Sequence, residues 1–99
     1  MSLERDISEE CRLALANSLK GSFPEARLEE FGLNTPNPGV RADVHTHRGI
    51  ANIHLWRNRS FDVDAVENVS GRLLVHKSIE DATPLDVTTT IADLRAALL

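Results

Sequence analysis

His45 and His47 stand one residue apart, with Asp43 shortly before them and His54 after, so three of the four histidines fall between positions 45 and 54. On an extended strand, alternate residues share a side about 7 Å apart, near enough for two imidazoles to converge on one zinc or similar ion. A small metal-binding module, or a metal-dependent enzyme, built on Asp43, His45, His47 and His54 is therefore one reading. The competing reading is a polar, solvated sheet face. Cys11, the single cysteine, offers that set no thiolate; it falls on an apolar helical stripe and reads as a small buried hydrophobe.

Other chemistries find less support. Ser60, Ser70 and Ser78 fall in turns or at a strand end, without the glycine frame of a nucleophile elbow. Asp62 and Asp64 share one exposed strand face, whereas a general acid needs a dry pocket to raise its pKa. The glycines are isolated turn residues, so nothing forms a phosphate-cradling loop. The residues call for no catalytic set and no cofactor.

The elements that must position these side chains read clearly. Leu3, Ile7, Cys11, Leu15 and Leu19 recur every four residues, which predicts an amphipathic helix over 3–20, capped by Ser2 or Asp6 and stopped by Lys20-Gly21 with Pro24 beyond. Residues 25–31 alternate weakly and predict a short strand with Ala26 and Leu28 on one face. Prolines, asparagines and glycines over 32–39 predict a loop. Strict alternation then predicts strands over 40–47 and 50–57, joined by a two-residue Arg48-Gly49 turn. That register sets Val44 against Ile53 and Ala42 against Leu55 on an apolar face. On the other face it sets Arg41 against Trp56, Asp43 against His54 and His45 against Asn52. An Arg beside a Trp and an Asp beside a His are favourable cross-strand neighbours.

Asn58-Arg59-Ser60 predicts a turn into a strand with Phe61, Val63 and Ala65 inward and Asp62 and Asp64 outward. Val69-Ser70-Gly71 turns the chain again into 72–79, with Leu73 and Val75 inward. Thr83 and Pro84 open a last helix whose buried stripe is Val87, Ile91, Leu94 and Leu98. The expected architecture is α+β: one domain over 1–99, an antiparallel β-meander of four to five strands, and an N-terminal and a C-terminal helix packed on one face.

On the other face the pattern gathers Arg41, Asp43, His45, His54, Trp56, Asp62 and Asp64 as a candidate partner-binding set. Trp56, with Arg41, His54 and Ile50 around it, reads as the centre of a small interaction patch. The alternative is that a loop or the first strand folds over it. Asp62, Asp64, Glu67, Glu80 and Asp81 read as a second, acidic patch, or simply as solvated charge.

Composition narrows the partner. The 99 residues are 41% hydrophobic and 26% charged, with four aromatics (Phe23, Phe31, Trp56, Phe61) and no Tyr, so the core is mostly aliphatic. Fifteen acids against eleven bases leave a net charge of −4. That balance argues against nucleic-acid binding, which needs a basic face to release counterions, although Arg57 and Arg59 lie close together. It favours steering toward a basic protein. Charges at Glu4, Arg5, Asp6, Glu9 and Glu10 interrupt any apolar leader, and no segment has the roughly 20 apolar residues of a membrane span. The expected compartment is the cytoplasm, and the two glycosylation sequons at Asn58 and Asn68 then carry no meaning.

Ile53-His54-Leu55-Trp56, Phe61-Asp62-Val63-Asp64-Ala65 and the Ser70-Gly71 turn, followed by an amphipathic helix, resemble the small bacterial immunity proteins of polymorphic-toxin and contact-dependent growth inhibition systems. The TriTu-like family is the nearest in feel. The resemblance covers about residues 50–99 and transfers no binding residue. It implies a cytoplasmic bacterial protein that neutralises a cognate toxin domain, a basic nuclease being the expected class, by occlusion. The metal module remains the alternative, and a homodimer through the Trp56 face is a third reading.

Overall fold

Residues 6–99 are described by the computed structural model. They form α1 (Ile7–Ser22), β1 (Glu29–Phe31), β2 (Gly39–His45), β3 (Gly49–Trp56), β4 (Phe61–Glu67), β5 (Leu73–Ile79) and α2 (Pro84–Leu98). All five strands join one antiparallel sheet in chain order. The predicted α+β meander with a helix at each end is thus the observed fold.

Each helix begins where its capping chemistry dictates. Asp6 caps α1 by accepting from the Glu9 N–H at 3.1 Å. The predicted contributions of Ser2 and Leu3 lie outside the described residues. At the far end α1 runs past Gly21 to Ser22, and the Phe23 N–H closes the last turn on the Leu19 carbonyl. Thr83 and Asp86 form a reciprocal capping box on α2, with Pro84 in the first turn, where its missing N–H costs nothing.

Both helices lie on one face of the sheet, and the core is the layer between. Cys11, Leu15 and Leu19 from α1 and Val87, Ile91, Leu94 and Leu98 from α2 are buried with Val40, Ala42, Val44, Ala51, Ile53, Leu55, Phe61, Val63 and Ala65. Alternation alone selects these strand residues, because successive side chains take opposite faces. The Cys11 thiol donates to the Ala82 carbonyl at 3.3 Å, and burial pushes its pKa above the ordinary value.

The β2–β3 register differs from the predicted one by two residues. His47-Arg48, not Arg48-Gly49, form the two-residue loop: His45 stands opposite Ile50, and the Thr46 N–H bonds the Gly49 carbonyl at 2.9 Å. Two causes act together, one local and one tertiary. Thr46 Oγ1 accepts from the Arg48 and Gly49 N–H groups, each at 3.2 Å, so its hydroxyl organises the turn. Gly49 is held inside the sheet by close packing, for a Cβ there would stand 2.3 Å from the Val66 carbonyl oxygen and 2.9 Å from Leu98 Cδ2. Val44 therefore faces Ala51, and Ala42 faces Ile53. Because the shift is even, every side chain keeps its predicted face.

Two further predictions are corrected. Residues 25–28 do not join β1, which keeps only three residues. In β5 the register slips by one residue beside Ala65 and Val66, so Leu73 pairs with Val66 and is 56% exposed, while Leu74 packs against the core in its place.

Candidate functional site

No helix covers the second face of the sheet among the described residues, and its side chains stand in four rows across the strands. Phe31, Gly39 and Trp56 make the first row. Glu29, Arg41, His54, Asp62 and Ser78 make the second, and Asp43, Asn52, Asp64 and His76 the third. His45, Ile50, Val66 and Leu73 close the opposite end. All seven predicted partner-binding residues, Arg41, Asp43, His45, His54, Trp56, Asp62 and Asp64, lie on this face.

Their neighbours are not the predicted ones. Trp56 faces Gly39 rather than Arg41, Asp43 faces Asn52 rather than His54, and His45 faces Ile50 rather than Asn52. Arg41 stands between His54 and Glu29, and its guanidinium lies 3.8 Å from the Glu29 carboxylate.

The first two rows enclose an aromatic cluster. The His54 and Trp56 rings stack with centroids 5.6 Å apart at 21°. Phe31 meets both edge-on, at 5.6 Å from His54 and 5.7 Å from Trp56. Edge-to-face and offset arrangements of this kind satisfy the ring quadrupoles. Gly39 makes the cluster sterically possible: a Cβ there would come within 2.9 Å of Phe31 Cζ and 2.6 Å of the Leu55 carbonyl oxygen. The reading in which the first strand folds over Trp56 is met only in part. The first strand does reach it through Phe31, yet Trp56, His54 and Phe31 all stay half-buried rather than covered.

Beside the cluster the face is acidic. Glu29, Asp43, Asp62 and Asp64 supply four carboxylates on these rows against the single guanidinium of Arg41. Ser78 Oγ donates to Asp62 at 2.8 Å, and the His76 ring is hydrogen-bonded to Asp64. These bonds hold the two carboxylates in place without neutralising Asp62. Comparison of the chain with protein-family models, with curated proteins and with solved structures gives no match.

The metal-ligand reading does not assemble. His47 sits in the hairpin loop outside both strands, and the observed register separates Asp43 from His54 by a row. Among the described residues no group of three or more His, Cys, Asp or Glu side chains is placed to hold an ion.

The second acidic patch is broken up as well. Glu67 bonds Ser70 and Arg72, and Asp81 lies 3.8 Å from Arg59. Arg59 itself, at φ 69°, donates to the Ala82 carbonyl at 3.2 Å and so locks the approach to α2.

Sequence reasoning missed Phe31, Gly39, His76 and Ser78 as members of this face. The signal for the last two was present: Ser78 and His76 alternate with Val75 and Lys77 as Asp62 and Asp64 do with Val63 and Ala65. Nothing local marks Phe31 and Gly39, which meet only through pairing across a seven-residue connection.

Proposed function

We propose that the chain is a non-catalytic binding protein of the immunity type, which docks a cognate toxin domain on the uncovered sheet face and blocks its active centre by occlusion. The observation that carries this reading is the Phe31–His54–Trp56 cluster, half-exposed on a helix-free face and bordered by carboxylates. Aromatic anchors of this size dominate the energetics of interfaces, and rigid neighbours lower the entropy lost on docking. Asp43, Asp62 and Asp64 give the surface the sign needed to steer a basic partner, such as a domain whose cleft accepts nucleic-acid phosphates. The resemblance of residues 50–99 to immunity proteins points the same way. The Ile50, Val66 and Leu73 row extends the contact area at the other end of the face.

Co-expression with the toxin encoded beside it provides the test, read as survival of the host cell and as affinity by calorimetry. The unaltered protein protects and forms a one-to-one complex. Trp56→Ala weakens the complex by at least about 30-fold, the equivalent of a 2 kcal/mol anchor. Asp62→Lys with Asp64→Lys slows association most at low salt. Absence of both protection and a complex would refute the proposal.

A further inference from the structure

One edge of the sheet is only partly paired. Just beyond the two ends of β2 the Thr46 N–H bonds the Gly49 carbonyl and the Arg57 N–H bonds the Pro38 carbonyl, so the even-numbered residues between them point their main-chain groups toward β3. Arg41, Asp43 and His45 therefore point theirs the other way. There β1 pairs only with Gly39, Val40 and Arg41. Among the described residues nothing pairs with the N–H and C=O groups of Asp43 and His45.

Beside this open stretch lies a cleft of about 410 Å³, whose apolar walls, Phe23, Pro24, Ala26, Val44 and Leu99, stand among the polar Ser22, Glu25 and Thr46. The chain before β1 is drawn off the edge: Phe23 is buried in the core and the Ala26 N–H is bonded to the Phe23 carbonyl at 2.9 Å.

We propose that the β2 edge at Asp43–His45 binds an extended segment of a partner protein by strand addition, and that this segment reads acidic–apolar–basic in the antiparallel sense. The register dictates the chemistry. A residue opposite Asp43 shares the uncovered face with a carboxylate that has no ion-pair partner among the described residues, so it is basic. The residue opposite Val44 points to the core side, into the apolar cleft. The residue opposite His45 returns to the uncovered face, where a carboxylate complements an imidazole. The chain's own Glu25-Ala26-Arg27 shows that pattern at the positions that a continued β1 would occupy, which makes it the natural competitor for the edge. The inference stands whether or not the face beside it binds a toxin.

The test is amide hydrogen exchange on the full chain with acetyl-Thr-Glu-Val-Arg-Thr-amide at millimolar concentration. The Asp43 and His45 amides, unprotected in the free protein, slow by at least about fivefold with peptide, as for amides newly taken into a ladder. A peptide with its Val and Arg exchanged leaves them unchanged. His45→Pro removes an outward N–H and no β3 bond, so the fold persists while the effect disappears; His45→Ala, which keeps the N–H, retains it. Either of two results overturns the proposal: protection of both amides before peptide is added, which would assign the edge to residues 25–27, or a response to peptide that survives His45→Pro.

Discussion

The two edges of the sheet are built on opposite plans. At β5 the last strand is seven residues long and carries Leu73, Leu74, Val75 and Ile79, the kind of edge that recruits further strands. Two devices blunt it. The irregularity beside Ala65 and Val66 kinks the pairing near its start, and Lys77 turns to the helix side, where its ammonium lies 3.7 Å from Asp93 of α2. An inward charge tied to the helix would be stranded beneath any strand added there. The β2 edge has neither device. Its protection is β1, which ends after three pairs and leaves an apolar cleft beyond. The unpaired stretch of β2 lies next to the face that carries the aromatic cluster.

That contrast can be broken at several points. Gly49 sets where the β2–β3 hairpin ends and hence which β2 residues reach the open edge. Gly49→Ala forces a Cβ against the Val66 carbonyl and Leu98 and lowers stability by about 2–3 kcal/mol in urea unfolding. A loss under about 0.5 kcal/mol would mean that the hairpin can reset to an Arg48-Gly49 turn, a change within the range of ordinary surface substitutions.

Phe31 is the side chain that pins β1. Phe31→Ala costs about 1.5–2 kcal/mol through lost burial and ring contacts, and it lengthens the open edge, so exchange at the Arg41 amide quickens. Unchanged exchange there would show that main-chain bonds alone hold β1.

At the opposite side, Thr83→Ala removes half of the capping box that starts α2 and lowers stability by about 1 kcal/mol, without affecting exchange in β2. The smallest change in stability belongs to Lys77→Val, which deletes an exposed ion pair worth under about 1 kcal/mol. Its effect is on association instead: sedimentation shows mass rising with concentration beyond that of the unaltered protein. Equal sedimentation of the two would remove Lys77 from the defence of β5.

Particular residues show how far the sequence could be read. The four-residue spacing of Cys11, Leu15 and Leu19 and the Thr83-Pro84 start gave both helices, because capping and helical periodicity act within a few residues. The alternation over 40–56 and 61–65 sorted core from surface correctly, and with it placed all seven candidate site residues on one face. Gly49 misled, because a glycine between two strands looks the same whether it frees a turn or makes room for a neighbour. Leu73 misled because an irregularity in pairing leaves no mark on composition. The aromatic cluster was half legible: Trp56 and His54 are alternate residues of one strand, whereas Phe31 joins them through a loop of prolines and glycines.

Face is a property of parity. Moving a strand by two residues changes no side chain from one side of a sheet to the other, so the alternation of Val40 through Leu55 determined the buried layer and the exposed one without knowledge of the pairing. Neighbours depend on the pairing itself. Which residue stands opposite Trp56, where β1 stops, and which amides of β2 stay open were decided by the contact of Gly49 with Leu98, by the Thr46 hydroxyl and by Phe31 lying over Gly39. The Thr46 bonds span only two and three residues, but Gly49 against Leu98 and Phe31 over Gly39 join separate elements, which only the folded protein brings together.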